Sequence, residues 1–311
     1  MQSLTPDMFV MLDAIARYGS FARAAQALDK APSSVTYSVR KLEDDLDVLL
    51  FDRRGPHATL TAAGRALLED GRHVLAELED IARRVRRIAT GWETELRIAL
   101  SPGVDPAPIW DLVADFQALA TQTRLRFTEE VLSGNWDALL AGRADLLIGA
   151  DALHAPAGGF NSRPIGAVDF VLCMAPSHPL AQRTGVLAAA DLLACHAIVV
   201  SDTSRRLEPQ DRGYNARQPL LIVPNMHSKI DALTHGLGVS HLPLCMARPW
   251  LDQGLLVTRQ TDTGIPIREQ AVYAWQEPAK GEGLKWWLQR LESPRLHAML
   301  TGGERTGQAG E

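Results

Sequence analysis

Apolar residues at Met8, Phe9, Leu12, Ile15 and Ala16 recur at helical spacing, and Thr5-Pro6-Asp7 ahead of them supplies a capping hydroxyl and a proline at the first helical position. Tyr18-Gly19 closes that helix. Ser20 caps a second one over 21–28, whose Ala24, Ala25 and Ala27 allow another helix to approach closely. After Asp29-Lys30-Ala31 a third helix starts at Pro32, with Val35, Val39, Leu42 and Leu46 on one face. Three helices, the last two joined by a short turn, predict a helix-turn-helix unit. Residues 48–60 read as two short strands around Gly55-Pro56, the wing of a winged variant. Thr61 then caps a long helix over 62–90, with Leu67, Leu68, Val74, Leu75, Leu78, Ile81, Val85 and Ile88 as its stripe. A stripe of that length with no globular neighbour in sequence predicts burial against a partner helix, with folding back on its own domain as the alternative.

Beyond Gly91-Trp92 short strands and helices alternate. Strands are expected at 96–100, 125–131 and 145–149, with helices at 108–120 and 136–141 between them. A second set covers 170–175, 187–194, 197–200, 220–223, 226–235 and 238–242, and a strand at 270–275 and a helix at 284–291 return to the first set. Such alternation predicts an α/β fold with a largely parallel sheet. The tail 301–311 is rich in Gly and polar residues and is expected to fray.

The chain has 311 residues, 46% hydrophobic and 22% charged, enough for two or three modest domains that each bury a core. Its three cysteines, Cys173, Cys195 and Cys245, form no CxxC pair, so neither a disulfide framework nor a zinc ribbon is supported. The N-terminus has no basic segment ahead of its apolar residues, which Asp7 and Asp13 interrupt. No apolar run approaches the roughly 20 residues needed to span a bilayer. The expectation is a reduced, soluble, cytoplasmic protein with no membrane partner.

The net charge of −5 changes meaning when it is partitioned. Residues 1–91 hold 13 basic and 13 acidic side chains, and the remainder holds 19 and 24, so the whole deficit lies in the C-terminal region. Within the third helix the charges are sorted further. No acid occurs between Lys30 and Leu42, where Ser33, Ser34, Thr36, Tyr37, Ser38, Arg40 and Lys41 all carry hydrogen-bonding groups. The acids start at Glu43 and continue through Asp44, Asp45 and Asp47. A donor-rich, acid-free half can enter a major groove while the acidic end points away. An ordinary solvated face would carry the same residues, but the wing pair Arg53-Arg54 adds phosphate-binding charge beside it.

With these residues in place, the first 61 positions resemble the winged helix-turn-helix of LysR-type transcriptional regulators. The matching stretches are Gly19-Ser20-Phe21, Ala24-Ala25, Leu28, Pro32-Ser33-Ser34-Val35-Thr36, Lys41-Leu42-Glu43, Leu46, Leu50-Phe51-Asp52-Arg53 and Leu60-Thr61-Ala62-Ala63-Gly64. The resemblance implies a winged helix-turn-helix over 1–61, a linker and dimerisation helix over 62–90, an effector-binding domain over 91–300 and a flexible tail over 301–311. That domain would be a two-lobed α/β periplasmic-binding-protein-like fold, with lobe I at 92–165 and 266–300 and lobe II at 166–265. Crossovers are expected near Gly166 and Ile265.

The candidate DNA-binding residues are Ser20, Pro32, Ser33, Ser34, Thr36, Tyr37, Arg40, Lys41, Arg53, Arg54 and Thr61, of which the family resemblance, carried over by position, implies Ser20, Ser33, Thr36, Tyr37, Arg53 and Thr61. Ser33, Thr36 and Tyr37 would lie in the groove, and Ser20, Arg53 and Thr61 near phosphates. Two positions depart from the common pattern: Pro32 stands where many members have Gln, and Tyr37 where many have Arg. One phenol suits a thymine methyl or a phosphate better than bidentate guanine reading. Arg83, Arg84, Arg86 and Arg87 read as a solvated face. Strand ends and helix starts in the C-terminal region place an effector against Ser101, Pro102, Gly103, Val104, Leu132, Gly149, Ser201, Thr203, Asn225, Met226 and His227. Caps would use the same polar residues. The implied partners are double-stranded promoter DNA, a small effector of aromatic type, RNA polymerase, and a second copy in a homodimer or homotetramer.

Enzyme readings are weaker, and no cofactor or metal is expected. Gly236-Leu237-Gly238 lacks the third glycine of a dinucleotide fingerprint, no GxSxG elbow occurs, and His196 beside Cys195 has no third partner. His227, His235 and His241 are too irregularly spaced for a zinc helix.

Overall fold

Thr5 opens helix α1 (Pro6–Tyr18) by accepting the Met8 N–H, and Gly19 ends it in the left-handed conformation that a side chain would strain. Helix α2 (Phe21–Ala27) follows from its Ser20 cap, and helix α3 (Pro32–Leu46) starts with proline and no side-chain cap. Strands β1 (Phe51–Asp52) and β2 (Thr59–Leu60) pair antiparallel as the expected wing, ahead of the 29-residue helix α4 (Ala62–Thr90). This is a computed structural model, which describes residues 4–52, 57–210, 212–263, 265, 268–279 and 281–302 and leaves out the side chains at 80, 83, 84, 86 and 87. The expected wing cations Arg53 and Arg54, the Gly55-Pro56 turn, and the Arg83, Arg84, Arg86 and Arg87 side chains lie outside the described residues.

The chain divides into two units, residues 1–86 and 87–311, so the boundary falls inside α4. The first unit packs Leu12, Ile15, Ala24, Ala25, Val35, Val39, Leu42, Leu50, Phe51 and Leu68 into one core. Leu46, expected on the buried face of α3, is exposed: it is the last residue of the helix, beside the left-handed Asp47 cap. Helix α4 approaches the unit through two glycines. A Cβ on Gly64 would lie 2.1 Å from the Leu50 carbonyl oxygen, and one on Gly71 would lie 2.3 Å from the Phe9 ring. Gly64→Ala is therefore expected to cost about 1–3 kcal/mol, read as a lowered denaturation midpoint of the helical signal.

The second unit is built from strands β3 (Glu95–Leu100), β4 (Arg124–Glu129), β5 (Leu146–Asp151) and β6 (Asn161–Met174), with helices α5 (Ala107–Ala118) and α6 (Ser133–Leu140) between them. There follow β7 (Leu187–Ala188), α7 (Ala189–Leu192), β8 (Ala197–Val200), β9 (Leu220–Val223), α8 (Met226–Thr234), β10 (Ser240–Pro243) and α9 (Leu244–Asp252). The chain closes with β11 (Val257–Arg259), β12 (Thr261–Asp262), β13 (Arg268–Trp275), α10 (Glu282–Leu291) and α11 (Pro294–Leu300). Among the described residues, no helix is long and apolar enough to cross a membrane.

The largest sheet runs β10-β6-β13-β5-β3-β4, with β11 also on β6. It is mixed, which corrects the largely parallel expectation. Strand β3 is parallel to β4 and β5, whereas β13 is antiparallel to β5 and β6, and β6 is antiparallel to β10 and β11. The reason is that β6 runs on from one lobe into the other and its neighbour β13 runs in the opposite direction. Residues Asn161–Asp169 of β6 pair with β13, and from Phe170 onward its partners are β10 and β11, so the crossover falls after Asp169, three residues past Gly166. Leu187–Leu192 forms a short strand and a short helix in place of one element. Thr301 and Gly302, expected to fray, are held by α11 and α9: the Thr301 hydroxyl donates to the His297 carbonyl and Arg248 donates to that of Gly302. Residues 303–311 lie outside the described residues.

Candidate nucleic-acid interface and effector cleft

The buried face of α3, Val35, Val39, Leu42 and Glu43, fixes which residues point outward. Pro32, Ser33, Ser34, Tyr37, Arg40 and Lys41 are exposed, with Tyr37 at 69%. Thr36 is half-buried, and its hydroxyl donates back to the Pro32 carbonyl at 2.9 Å, which turns that proton away from any ligand. Glu43 is no part of a repelling acidic end. It is buried, and its Oε1 accepts the N–H groups of Leu50 and Phe51 at 2.9 and 3.2 Å, fastening α3 to the wing. The wing is tied a second time by the Ala58 N–H, which donates to the Gly19 carbonyl at 2.9 Å.

Ser20 and Thr61 are both helix caps. The Ser20 oxygen accepts the Arg23 N–H, and the Thr61 hydroxyl donates to the Leu49 carbonyl at 2.7 Å while accepting the Gly64 N–H at 3.0 Å. Both reach the surface only partly. Along α4 the expected stripe splits in two. Leu68 is buried in the first unit's core and Leu67 and Leu75 pack against it, whereas Val74, Leu78, Ile81, Val85 and Ile88 are 41 to 78% exposed. The exposed set recurs at alternating intervals of four and three residues, the spacing that a coiled-coil seam uses.

The expected effector residues fall into three groups. Ser101, Pro102 and Gly103 form the turn after β3, where the Ser101 oxygen accepts the Gly103 N–H. Val104 and Gly149 belong to the packing beneath that turn: Val104 is buried, and a Cβ on Gly149 (φ +90°) would meet it at 2.7 Å. Val104 is thus a core residue and not a wall of the cleft. Asn225, Met226 and His227 do not join the group. Asn225 caps α8 through the Ser228 N–H, Met226 is buried in the lobe II core, and His227 is exposed and paired with Asp231. Leu132, Ser201 and Thr203 lie where the β4–α6 turn meets the β8–β9 connection, residues 201–219, and there Leu132 packs against the lobe II core.

This meeting point holds a dense polar network, most of which sequence reasoning missed. Asp202 reaches the start of α6, where its two oxygens accept the N–H groups of Ser133 and Gly134 at 3.0 and 3.1 Å. The same carboxylate folds its own loop by accepting from Ser204 and Gln210. In the reverse direction, buried Asp137 of α6 accepts the N–H groups of Arg205, Arg206 and Leu207 at 3.1 to 3.2 Å. Arg143 bridges Asp137 and buried Glu130, and the Thr203 hydroxyl donates to Glu130 at 2.6 Å while accepting the Val131 N–H at 2.9 Å. A Cβ on Gly134 would lie 1.8 Å from the Thr203 oxygen, so the loop touches the helix backbone. Farther along, Arg212 joins Asp151, His154 and Glu269. The one visible signal was the pairing of Ser133-Gly134 with Asp202-Thr203, small or hydroxyl residues beside an acid, about seventy residues apart.

Burial raises the proton affinity of Asp137, but Arg143 and the N–H groups of Arg205 and Leu207 outweigh it, so its pKa is held low; Asp202 is held low in the same way by the N–H groups of Gln210, Ser204 and Ser133. A carboxylate whose folded pKa is depressed contributes stability above its unfolded value and loses it as pH falls through the folded one. The loop–α6 contact should therefore persist unchanged from pH 7 to pH 5 and weaken only below the ordinary aspartate value of 3.8, read by amide exchange of residues 202–210. Glu93 contrasts with both. Burial raises its pKa although it caps α10 through Gly283 and Leu284.

A winged helix-turn-helix with a free recognition face, joined in one chain to a two-lobed α/β domain of binding-protein type, defines a ligand-sensing DNA-binding regulator. The family profile described as "Bacterial regulatory helix-turn-helix protein, lysR family" matches residues 7–65, and that described as "LysR substrate binding domain" matches 89–293. The chain belongs to the LysR family of DNA-binding transcriptional regulators. Among its relatives, the probable HTH-type transcriptional regulator YhaJ of Escherichia coli (strain K12) is 35% identical over 297 residues, 95% of this chain and 97% of its own. The HTH-type transcriptional regulator PunR of the same organism is 34% identical over 281 residues, 90% of each chain. Full-length CbnR complexed with its target DNA shares the fold at a TM-score of 0.61 and 20% identity, covering 93% of this chain and 99% of CbnR.

Proposed function

We propose that this regulator binds an inverted-repeat promoter site as a homodimer or a dimer of dimers, reading bases with α3 and sensing a small molecule in the cleft between its C-terminal lobes. The observation that carries the reading is the exposed, acid-free first half of α3, with Pro32, Ser33, Ser34, Tyr37, Arg40 and Lys41 outward above a fully packed opposite face. Ser33, Ser34 and Tyr37 address the groove, while Arg40, Lys41 and the Ser20 O–H take phosphates, and Arg53 and Arg54 of the sequence add charge for the same backbone. The exposed four-three stripe of α4 supplies the dimer contact. A small effector, aromatic in the simplest reading, sits against Ser101, Gly103, Leu132, Ser201 and Thr203. It acts by changing the spacing of the two heads, and through it polymerase access. The ligand shifts that balance only by its differential affinity for the two arrangements.

The test is anisotropy with the DNA upstream of its own gene against scrambled DNA. Tyr37→Ala should weaken binding to the specific site roughly tenfold, the effect of about 1–3 kcal/mol of base reading, and leave scrambled DNA nearly unaffected. Equal loss on both would place Tyr37 on the phosphate backbone.

A further inference from the structure

The β8–β9 connection crosses from lobe II to lobe I and is fastened there by a reciprocal exchange of carboxylates. Asp202 of the loop takes the first amides of α6, and Asp137 of α6 takes three amides of the loop. Thr203 adds a third tie, to Glu130 and Val131 at the end of β4, and the Ser133 hydroxyl a fourth, donating to the Glu208 carbonyl at 3.0 Å. Arg212 adds a fifth, to Asp151 at the end of β5 and Glu269 of β13. The loop then returns to lobe II, where the Gly213 carbonyl lies 3.2 Å from the His241 ring nitrogen and Gln218 donates to the Cys195 carbonyl. A segment of irregular backbone is ordinarily among the first parts of a domain to open. This one instead ties the two lobes by charge-assisted bonds, which are about twice as strong as neutral ones.

We propose that residues 201–210, with Arg212, form an intramolecular latch, with Asp202 as its bolt and Asp137 as its catch, that holds the two lobes in one relative arrangement until the regulator is switched. The latch lies at the lobe junction, where any change in lobe angle must either stretch it or release it. Its two carboxylates act on separate sets of amides, so either one alone leaves the loop half attached. The bolt is a side chain on a loop and the catch is a buried helix residue, so Asp202 is the side chain that swings free. The coupling of the lobes rests on these contacts and not on which small molecule the cleft accepts.

Asp202→Asn in the full-length protein tests the latch without added ligand, since it keeps the shape but removes the charge and turns one acceptor into a donor facing donors. Deuterium exchange should rise about tenfold or more across 202–210 and the first turn of α6, with the core strands β3 and β5 unchanged. Promoter DNA affinity or bend angle should shift in the same variant. Asp202→Glu, which retains the charge, should restore much of the protection. Unchanged exchange in Asp202→Asn would show that the carboxylate does not hold the loop. Released exchange with identical DNA affinity and bend would show that the loop is fastened but does not couple the lobes to the heads. Loss of protection throughout the sheet would mark a folding defect in that variant. The decision then falls to Asp202→Glu: wild-type protection with wild-type DNA behaviour supports the latch, and a released loop in a folded sheet with the charge retained contradicts it.

Discussion

Ile81→Glu combined with Val85→Glu is expected to convert the protein to a monomer in sedimentation and to lower its affinity for an inverted-repeat operator by roughly 100-fold or more. Both side chains are exposed on α4, Val85 at 61%, and neither belongs to the core of the first unit, so replacing them leaves that core intact. Glutamate is a good helix former, so the helix itself should persist. The effect arises instead in the partner contact. Carboxylates facing each other across a coiled-coil seam must either be desolvated or repel, and a monomer loses the local concentration that lets a second head follow the first. A single half-site should be bound nearly as well as by the wild type. Retained dimerisation would mean that α4 packs elsewhere.

The second large effect lies within the head. Glu43→Ala is expected to destabilise the first unit by about 2–5 kcal/mol, because it leaves the buried N–H groups of Leu50 and Phe51 without their shared acceptor. The variant should also bind DNA weakly, since α3 and the wing are then no longer held in one frame. Glu43→Gln, which keeps a carbonyl oxygen at the same place, should lose less than half as much. The experiment separates cleanly by spectroscopy. All seven tryptophans lie at residue 92 or beyond, so the indole transition reports only the second unit and should not move. The far-ultraviolet helix signal should acquire an earlier transition. A shift in both signals together would mean that the two units unfold as one.

Much of this was legible from spacing alone. The caps Thr5 and Ser20, the Pro32 start, and the periodicity of Val35, Val39 and Leu42 specify local structure, and they appear where expected because neighbours within four residues determine them. Helix α9 escaped notice because Pro249 inside it reads as a breaker, and α11 because seven residues carry too short a pattern. Glu43 looked like surface charge since nothing in a helical repeat announces bonds to backbone amides seven and eight residues away. The loop at 201–210 is the extreme case. Its structure depends on amides and carboxylates about seventy positions apart, and no local period encodes such a pairing. The mixed sheet was hidden for the same reason, since strand direction follows from where the chain crosses between lobes.

The most direct measurement is equilibrium binding of full-length protein to its upstream DNA and to scrambled DNA of equal length across 50 to roughly 200 mM salt. The expected result is a steep loss of affinity with salt on both DNAs, with the specific site retaining an advantage of at least ~1,000-fold that Tyr37→Ala reduces. Equal affinity for the two DNAs at every salt concentration would contradict the assignment of α3 as a reader of sequence.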